Sequence, residues 1–386
     1  MLRCNILTIF LAFSLLAGAQ DWKVVREHPQ KVFPKTVAAG NYSGIAHLHD
    51  DIYAVVSDKS DSALYFNFRI QVNPKTGELE QVENLGFNER TDGTLNDAKP
   101  WQGQEKGFDH EAIVKVSDST LVIASEGYCR LKEYPILPIS VDAAKLGYQQ
   151  NLWESRWPSA DFYPNYNFES LAFDSVRQYL WTIPESTLRK DGQPATSQNG
   201  LANQLRLMRL DWGKIKENRN KEDNGKEDSS EQVSSKKDSR YMMTYAYQMD
   251  QPSTHKKADI YVMGVSELCA LPDGQLLVLE REAFIPNIKI GAFCKCKLYL
   301  VNPLNSENFS MKEKFSSDTP FLKKKLLTEW KTSLSLSKRS FANYEGMCLG
   351  PKLEDGSQVI ILLSDSQDQY AGVLKDWFKT IVIRKE

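Results

Sequence analysis

Five copies of a short phrase each put a polar residue at the start of an apolar run. They read NYSGIA (41–46), DHEAIV (109–114), NFESLA (167–172), VSELCA (265–270) and NYEGMC (343–348). Four carry a glutamate at the third place, namely Glu111, Glu169, Glu267 and Glu345, and the first has Ser43 there. A second apolar run follows each copy and ends in an acid 13 to 20 residues further on: Asp58, Glu126, Glu185, Glu280 and Asp365. Carboxylates gathered in this way have three uses. They can serve as acid–base groups with raised pKa, as partners of basic residues, or as oxygen ligands of a hard cation such as Ca²⁺. Arg130, Arg189 and Arg281 follow second runs and can meet either the acids or an anionic substrate. His110, beside Glu111, is the candidate general base. The plainer role for the acids is to accept backbone N–H groups and lock strands together.

Elements must bring these residues to one place. Each copy opens a short strand, and runs such as TLVIAS (120–125) and VIILL (359–363) supply a second one. Pro272-Asp273-Gly274 and Glu354-Asp355-Gly356 mark turns between them. A repeated unit of this kind is the signature of a radial β array. The sequence predicts an all-β fold, a single β-propeller with five motif-bearing blades, or six if one blade lacks the motif. Only 41 residues follow Glu345, so the N-terminal stretch 22–37 is expected to complete the last blade and close the ring. In a blade the first strand lines the axis and the second runs antiparallel. The motif glutamates and the second-run acids then meet at one channel mouth. The aromatic loop 157–168 leads into the third copy and is expected over that mouth.

Composition sets the remaining bounds. The formal charge of the 386 residues is −2, which argues against nucleic acid or an anionic membrane as partner. Arg3, the apolar run 6–16 and Ala17-Gly18-Ala19 read as a secretory signal peptide over residues 1–19. The propeller would then span 20–386 in an exported protein, periplasmic or secreted, monomeric and free of membrane after cleavage. Five cysteines follow the signal: Cys129, Cys269, Cys294, Cys296 and Cys348. An odd number leaves at least one free thiol or an intermolecular link, with a bridge from Cys269 to Cys294 or Cys296 as the candidate pairing. The segment 214–239 has only Ile215 and Val233 as aliphatic residues and is expected to be a disordered surface insert. No phosphate-binding loop, H-E-x-x-H motif or G-x-S-x-G elbow is present, so no organic cofactor is expected.

Three stretches resemble a known family. Gly107-Phe108-Asp109-His110-Glu111-Ala112-Ile113, with Ser125-Glu126 and Arg130, looks like its first phrase. Asn167-Phe168-Glu169-Ser170-Leu171-Ala172 looks like its second, and Tyr344-Glu345-Gly346-Met347 with Ser364-Asp365 like a later copy. The chain resembles the phytase-like family, described as the esterase-like activity of phytase, from residue 41 to the C-terminus. The resemblance implies an exported β-propeller with phosphatase or esterase activity. Ser43, Ala112 and the charged insert depart from the family pattern. The expected function is a metal-assisted ester or phosphoester hydrolase at an acidic mouth. Glu111, Glu169, Glu267, Glu345 and His110 would be catalytic. Arg130, Arg189 and Arg281 would bind substrate, and Asp58, Glu126, Glu185, Glu280 and Asp365 would hold Ca²⁺. The alternative is a non-catalytic exported propeller that binds a ligand or a protein.

Overall fold

A computed structural model describes residues 21–58, 65–87, 109–126, 129–136, 153–223, 239–335, 337, 339–367 and 374–386. The predicted signal peptide lies outside the described residues. The chain is built from four-stranded antiparallel sheets, five of them among the described residues. Strand β1 (Trp22–Glu27) belongs to the last sheet. The next sheet holds β2 (Tyr42–His49), β3 (Ile52–Ser57), β4 (Phe66–Val72) and β5 (Leu79–Phe87). Then come β6 (His110–Lys115), β7 (Thr120–Ser125), β8 (Arg130–Pro135) and β9 (Glu154–Arg156). The third sheet is β10 (Ala172–Asp174), β11 (Tyr179–Thr182), β12 (Gln204–Asp211) and β13 (Met242–Gln248). The fourth is β14 (Ile260–Ala270), β15 (Leu276–Ile285), β16 (Phe293–Val301) and β17 (Lys324–Ser333). Strands β18 (Asn343–Lys352), β19 (Gln358–Asp365) and β20 (Phe378–Lys385) complete the last sheet, with β1 paired to β20 along its outer edge.

Each sheet begins at a copy of the motif. The motif strands β2, β6, β10, β14 and β18 neighbour one another in that order, and β18 neighbours β2. The architecture is a β-propeller. Its core is divided into five apolar layers, each between two adjacent sheets. A second strand is therefore covered on both faces. This is why β3, β7 and β19 read as unbroken apolar runs rather than alternating ones.

The motif also fixes how closely inner strands approach. A Cβ added at Gly44 would lie 2.8 Å from the Ala112 Cα and from the Glu111 carbonyl oxygen. One added at Gly346 would lie 2.9 Å from the Ser43 carbonyl oxygen. The place after the motif glutamate is thus small where two backbones meet. Ser43 itself donates to the His110 carbonyl at 2.6 Å and ties β2 to β6.

Two expectations are corrected. The insert is not structureless from its first residue, because Trp212–Asp223 form helix α1. Ile215 and Trp212 are buried there, and Trp212 packs edge-on against Trp153 at 4.9 Å. Lys216 and Arg219 reach the buried Glu133 of β8 at 3.7 and 3.0 Å. One aliphatic residue placed over an apolar edge, with two cations over one buried acid, was enough to dock a helix. Residues 224–238 lie outside the described residues. The second correction concerns sulfur: all five cysteines are buried free thiols, with no bridge from Cys269. Cys294 and Cys296 are neighbours at 3.8 Å on β16.

These contacts set two expected outcomes. Ile215→Ala should cost about 2–5 kcal/mol in urea unfolding, the usual loss for a buried aliphatic side chain. Gly44→Val should cost a further order of 1–3 kcal/mol or more through overpacking between β2 and β6. An unchanged midpoint for Ile215→Ala would show that α1 does not dock.

Candidate functional site

Backbone irregularity turns the motif acids toward the axis. Residues Asn41 and Asp109 enter their strands with φ of 47° and 50°, a left-handed conformation that Asn and Asp tolerate best. In β6, His110 pairs with Ser125 and Ala112 with Ala124, so Glu111 is the extra residue of a bulge. In β18, Tyr344 pairs with Ser364 and Gly346 with Leu363, which leaves Glu345 in the same position. The second-run acids return to meet them. The Glu126 N–H bonds to the Asp109 carbonyl and the Glu185 N–H to the Asn167 carbonyl, each at 2.8 Å.

The convergence has two halves. In one, carboxylate oxygens of Glu111, Glu126 and Glu169 lie within 4.8 Å of one another, as do those of Asp58, Asp109 and Glu111. Glu111 belongs to both groups. Burial raises the pKa of Glu111 and of Glu169 well above the carboxylate range, and neighbouring carboxylates add to it. Glu126 is pushed up to about 7 by burial and then by Glu185 and Asp109. Among the described residues neither Glu111 nor Glu169 forms an ion pair or accepts a hydrogen bond. In the other half, Arg281 donates to Glu185 at 2.6 Å and also pairs with Glu345. Asn343 accepts from Arg281 at 3.0 Å and donates to Glu345 at 2.7 Å.

The oxygen sets fit a hard cation. Ca²⁺ takes oxygen ligands at about 2.3–2.6 Å, so oxygens on opposite sides of it are about 5 Å apart. A gap of 4.8 Å or less between donors meets that demand. The residues that would hold such an ion are Asp58, Asp109, Glu111, Glu126 and Glu169.

Other predicted residues lie elsewhere. Glu267 accepts the N–H groups of Leu171 and Leu268, both at 2.9 Å, so it joins strands and does not enter the cluster. The cause is register: in β14 the bulge falls on Ser266, one residue early, and Glu267 stays in the ladder opposite Leu279. Glu280 is in mid-strand because the β14–β15 ladder continues to Ile260 and Ile285. Its carboxylate faces the neighbouring sheet and accepts from Tyr247 at 2.6 Å and Lys324 at 2.7 Å. Asp365 turns onto the Gln367 N–H at 2.8 Å.

His110, the expected general base, is buried beside β7. Burial, then Arg130, pushes its pKa down to about 3, and its Nδ1 is 2.8 Å from the Ser125 hydroxyl. Arg130 lies near Glu154 and Tyr134 at 3.8 and 3.5 Å. Arg189 donates to the Phe162 carbonyl at 2.6 Å and stacks on Tyr163, which braces the aromatic loop. In that loop Trp157 and Phe162 pack on Phe168 at 4.7 and 5.2 Å as core. Asn167 of the same loop donates its N–H to the Glu126 carboxylate at 3.3 Å, and burial and then Glu185 push the Tyr166 pKa up to about 12. Asp109 was the site residue missed. Its signal was there, an Asp where three other copies begin with Asn.

The sequence profile of the phytase-like family, described as the esterase-like activity of phytase, matches residues 37–367. The chain belongs to that family. No curated protein matches it. Among solved structures, a streptogramin B lyase structure is 9% identical with a TM-score of 0.32, over 93% of this chain and 98% of the other. The Dos1 propeller is 10% identical with a TM-score of 0.28, over 88% and 68%. A crystal structure of the mitotic checkpoint complex is 12% identical with a TM-score of 0.29, over 99% of each chain. Likenesses this loose bear on neither the site nor its chemistry.

The electrostatics set two further outcomes. Replacing Arg281 with Met strands Glu185 and Glu345, and should cost about 3–5 kcal/mol in urea unfolding. A buried acid with a raised pKa holds its proton more tightly in the folded chain, so stability falls as pH rises. For Glu126 this loss runs from the ordinary value of 4.5 up to about 7. His110 acts oppositely, since a depressed base loses stability as pH falls below 6.5. Glu126→Gln should therefore shrink only the first loss in metal-free protein, read as Tm against pH. An unchanged slope would place Glu126 in solvent.

Proposed function

We propose that this phytase-like propeller is an exported, metal-assisted hydrolase of an ester or phosphoester, working at the axial carboxylate cluster. One observation carries the reading. Carboxylate oxygens of Glu111, Glu126 and Glu169, and of Asp58, Asp109 and Glu111, converge within 4.8 Å, while the direct ion pairs of Arg281 go to Glu185 and Glu345. Elsewhere Glu280 takes Lys324 and Tyr247 as partners, and one oxygen of Glu267 takes two backbone N–H groups. Carboxylate oxygens gathered this closely are what a hard-cation site offers. A divalent ion held there would polarise a substrate oxygen and lower the pKa of water. Arg281 and Asn343 stand on the opposite flank, where an anionic group would arrive. Tyr166 borders the same space.

A second reading is favoured by a specific feature. Glu267 accepts backbone N–H groups, and burial pushes the His110 pKa down to about 3, which leaves fewer of the five expected catalytic residues poised for proton transfer. A propeller that binds a ligand at the same mouth without turning it over would keep the cation site and lack the hydrolysis.

Calcium separates these readings. A cation that binds only the folded state stabilises it by about 2.7 kcal/mol at a hundredfold excess over Kd. Calcium should raise the Tm and a chelator should lower it. Glu111→Gln with Glu169→Gln should abolish that response and itself raise the metal-free Tm, because two buried acids become neutral. Hydrolysis of p-nitrophenyl acetate or p-nitrophenyl phosphate should depend on calcium and be lost in the same variant. Calcium stabilisation without hydrolysis selects the binding propeller, and no calcium effect removes both.

A further inference from the structure

Large apolar side chains left in solvent are few, and three of the seven described ones belong to one end of the fourth sheet, with another on a loop bonded to the segment that leads into it. Leu201, Ile260, Ile288 and Ile290 are 45%, 49%, 75% and 47% exposed. They stand where the β14–β15 ladder overruns the ring. Arg281, opposite Gly264, marks the level of the acids, and pairing continues to Ile260 and Ile285. Four residues of strand at about 3.3 Å each lift this tip roughly 13 Å above the acids, on the mouth side. The turn beyond it is ordered. The Lys289 N–H bonds to the Pro286 carbonyl at 2.8 Å, and the Gly291 N–H to the Leu334 carbonyl at 2.8 Å. Leu201 joins from the neighbouring sheet, where Gln198 donates to the His255 carbonyl at 2.8 Å.

Charge surrounds the tip. Lys256 and Lys257 are exposed just before Ile260, and Lys289 sits between the two exposed isoleucines, paired with Asp259 at 2.8 Å. The chain's net charge of −2 argued against an anionic surface as partner, but a surface meets only the local charge, which is basic here.

We propose that this lip docks the protein on an anionic phospholipid bilayer, with the acidic mouth facing the headgroups. Aliphatic side chains on a convex, fixed tip insert between headgroups without needing a groove. Lysines beside them are drawn to anionic lipid. A protein partner fits less well, because interface cores favour aromatic residues, and the exposed apolar side chains of this tip are aliphatic. No helix among the described residues can cross a membrane, so the contact is peripheral. The proposal stands independently of the metal site.

The test uses the mature chain and vesicles of phosphatidylglycerol with phosphatidylcholine, against vesicles of phosphatidylcholine alone. The protein should sediment with the anionic vesicles and be released by salt. Ile288→Ser with Ile290→Ser should lower the bound fraction about tenfold. Lys256→Glu with Lys257→Glu should lower it about as far. Both variants should keep the parent Tm, because the positions are exposed. Failure of the parent to bind anionic vesicles, or binding that neither variant changes, overturns the proposal. Dimerisation in lipid-free buffer that the isoleucine variant abolishes assigns the lip to a second copy and overturns it too.

Discussion

Buried carboxylates around a common axis are the constraint on which this molecule turns. A ring of strands must bring equivalent positions of every sheet close together, and this sequence puts acids at those positions. At an effective dielectric of about 20, two like charges about 4 Å apart cost about 4 kcal/mol. Several such pairs would exceed the net stability of an ordinary domain. The chain resolves half of this internally. Arg281 stands between Glu185 and Glu345, with Asn343 bridging, and those three sheets share one guanidinium. The raised pKa values of Glu111, Glu126 and Glu169 express the half that the chain leaves to a proton or a cation.

The same closeness governs packing. Inner strands touch through backbone, so the motif admits Gly44 and Gly346 where a side chain would collide. Farther out the sheets diverge and large side chains fill the gaps, as Trp153, Trp181 and Trp212 do. The insert follows this outer rule. Its first turns bury Ile215 against that apolar margin, and Glu133 receives two of its cations.

Much of this was legible in the sequence. The five phrases marked the inner strands, and the apolar runs after them marked strands covered on both sides. The grouping of Glu111, Glu126, Glu169 and Asp58 followed from antiparallel pairing alone. What was not legible depends on single residues of register. A bulge at Ser266 rather than at Glu267 keeps that glutamate in the ladder. The extension of β14 by residues 260–264 moves Glu280 to mid-strand and leaves Arg281 facing the axis. Neither shift alters the hydrophobic pattern, so no periodicity reports it. The docking of α1 was missed for a related reason. Composition averages a segment, whereas one isoleucine at the right edge can anchor a turn.

The fourth sheet departs from the others in three ways, and these have one structural origin. It supplies an arginine at the axis, it withdraws its two acids from the cluster, and it raises an apolar lip above the mouth. Each follows from lengthening one hairpin while shifting its bulge by one residue. Lengthening keeps the strand paired beyond the ring, so the residue facing the axis becomes Arg281 and Glu280 turns to Lys324 and Tyr247. The same extra pairs carry Ile260 and the turn with Ile288 out into solvent. The acid-rich side of the mouth, built from the first three sheets, therefore faces a side where one arginine holds two acids at the axis and the rim is apolar.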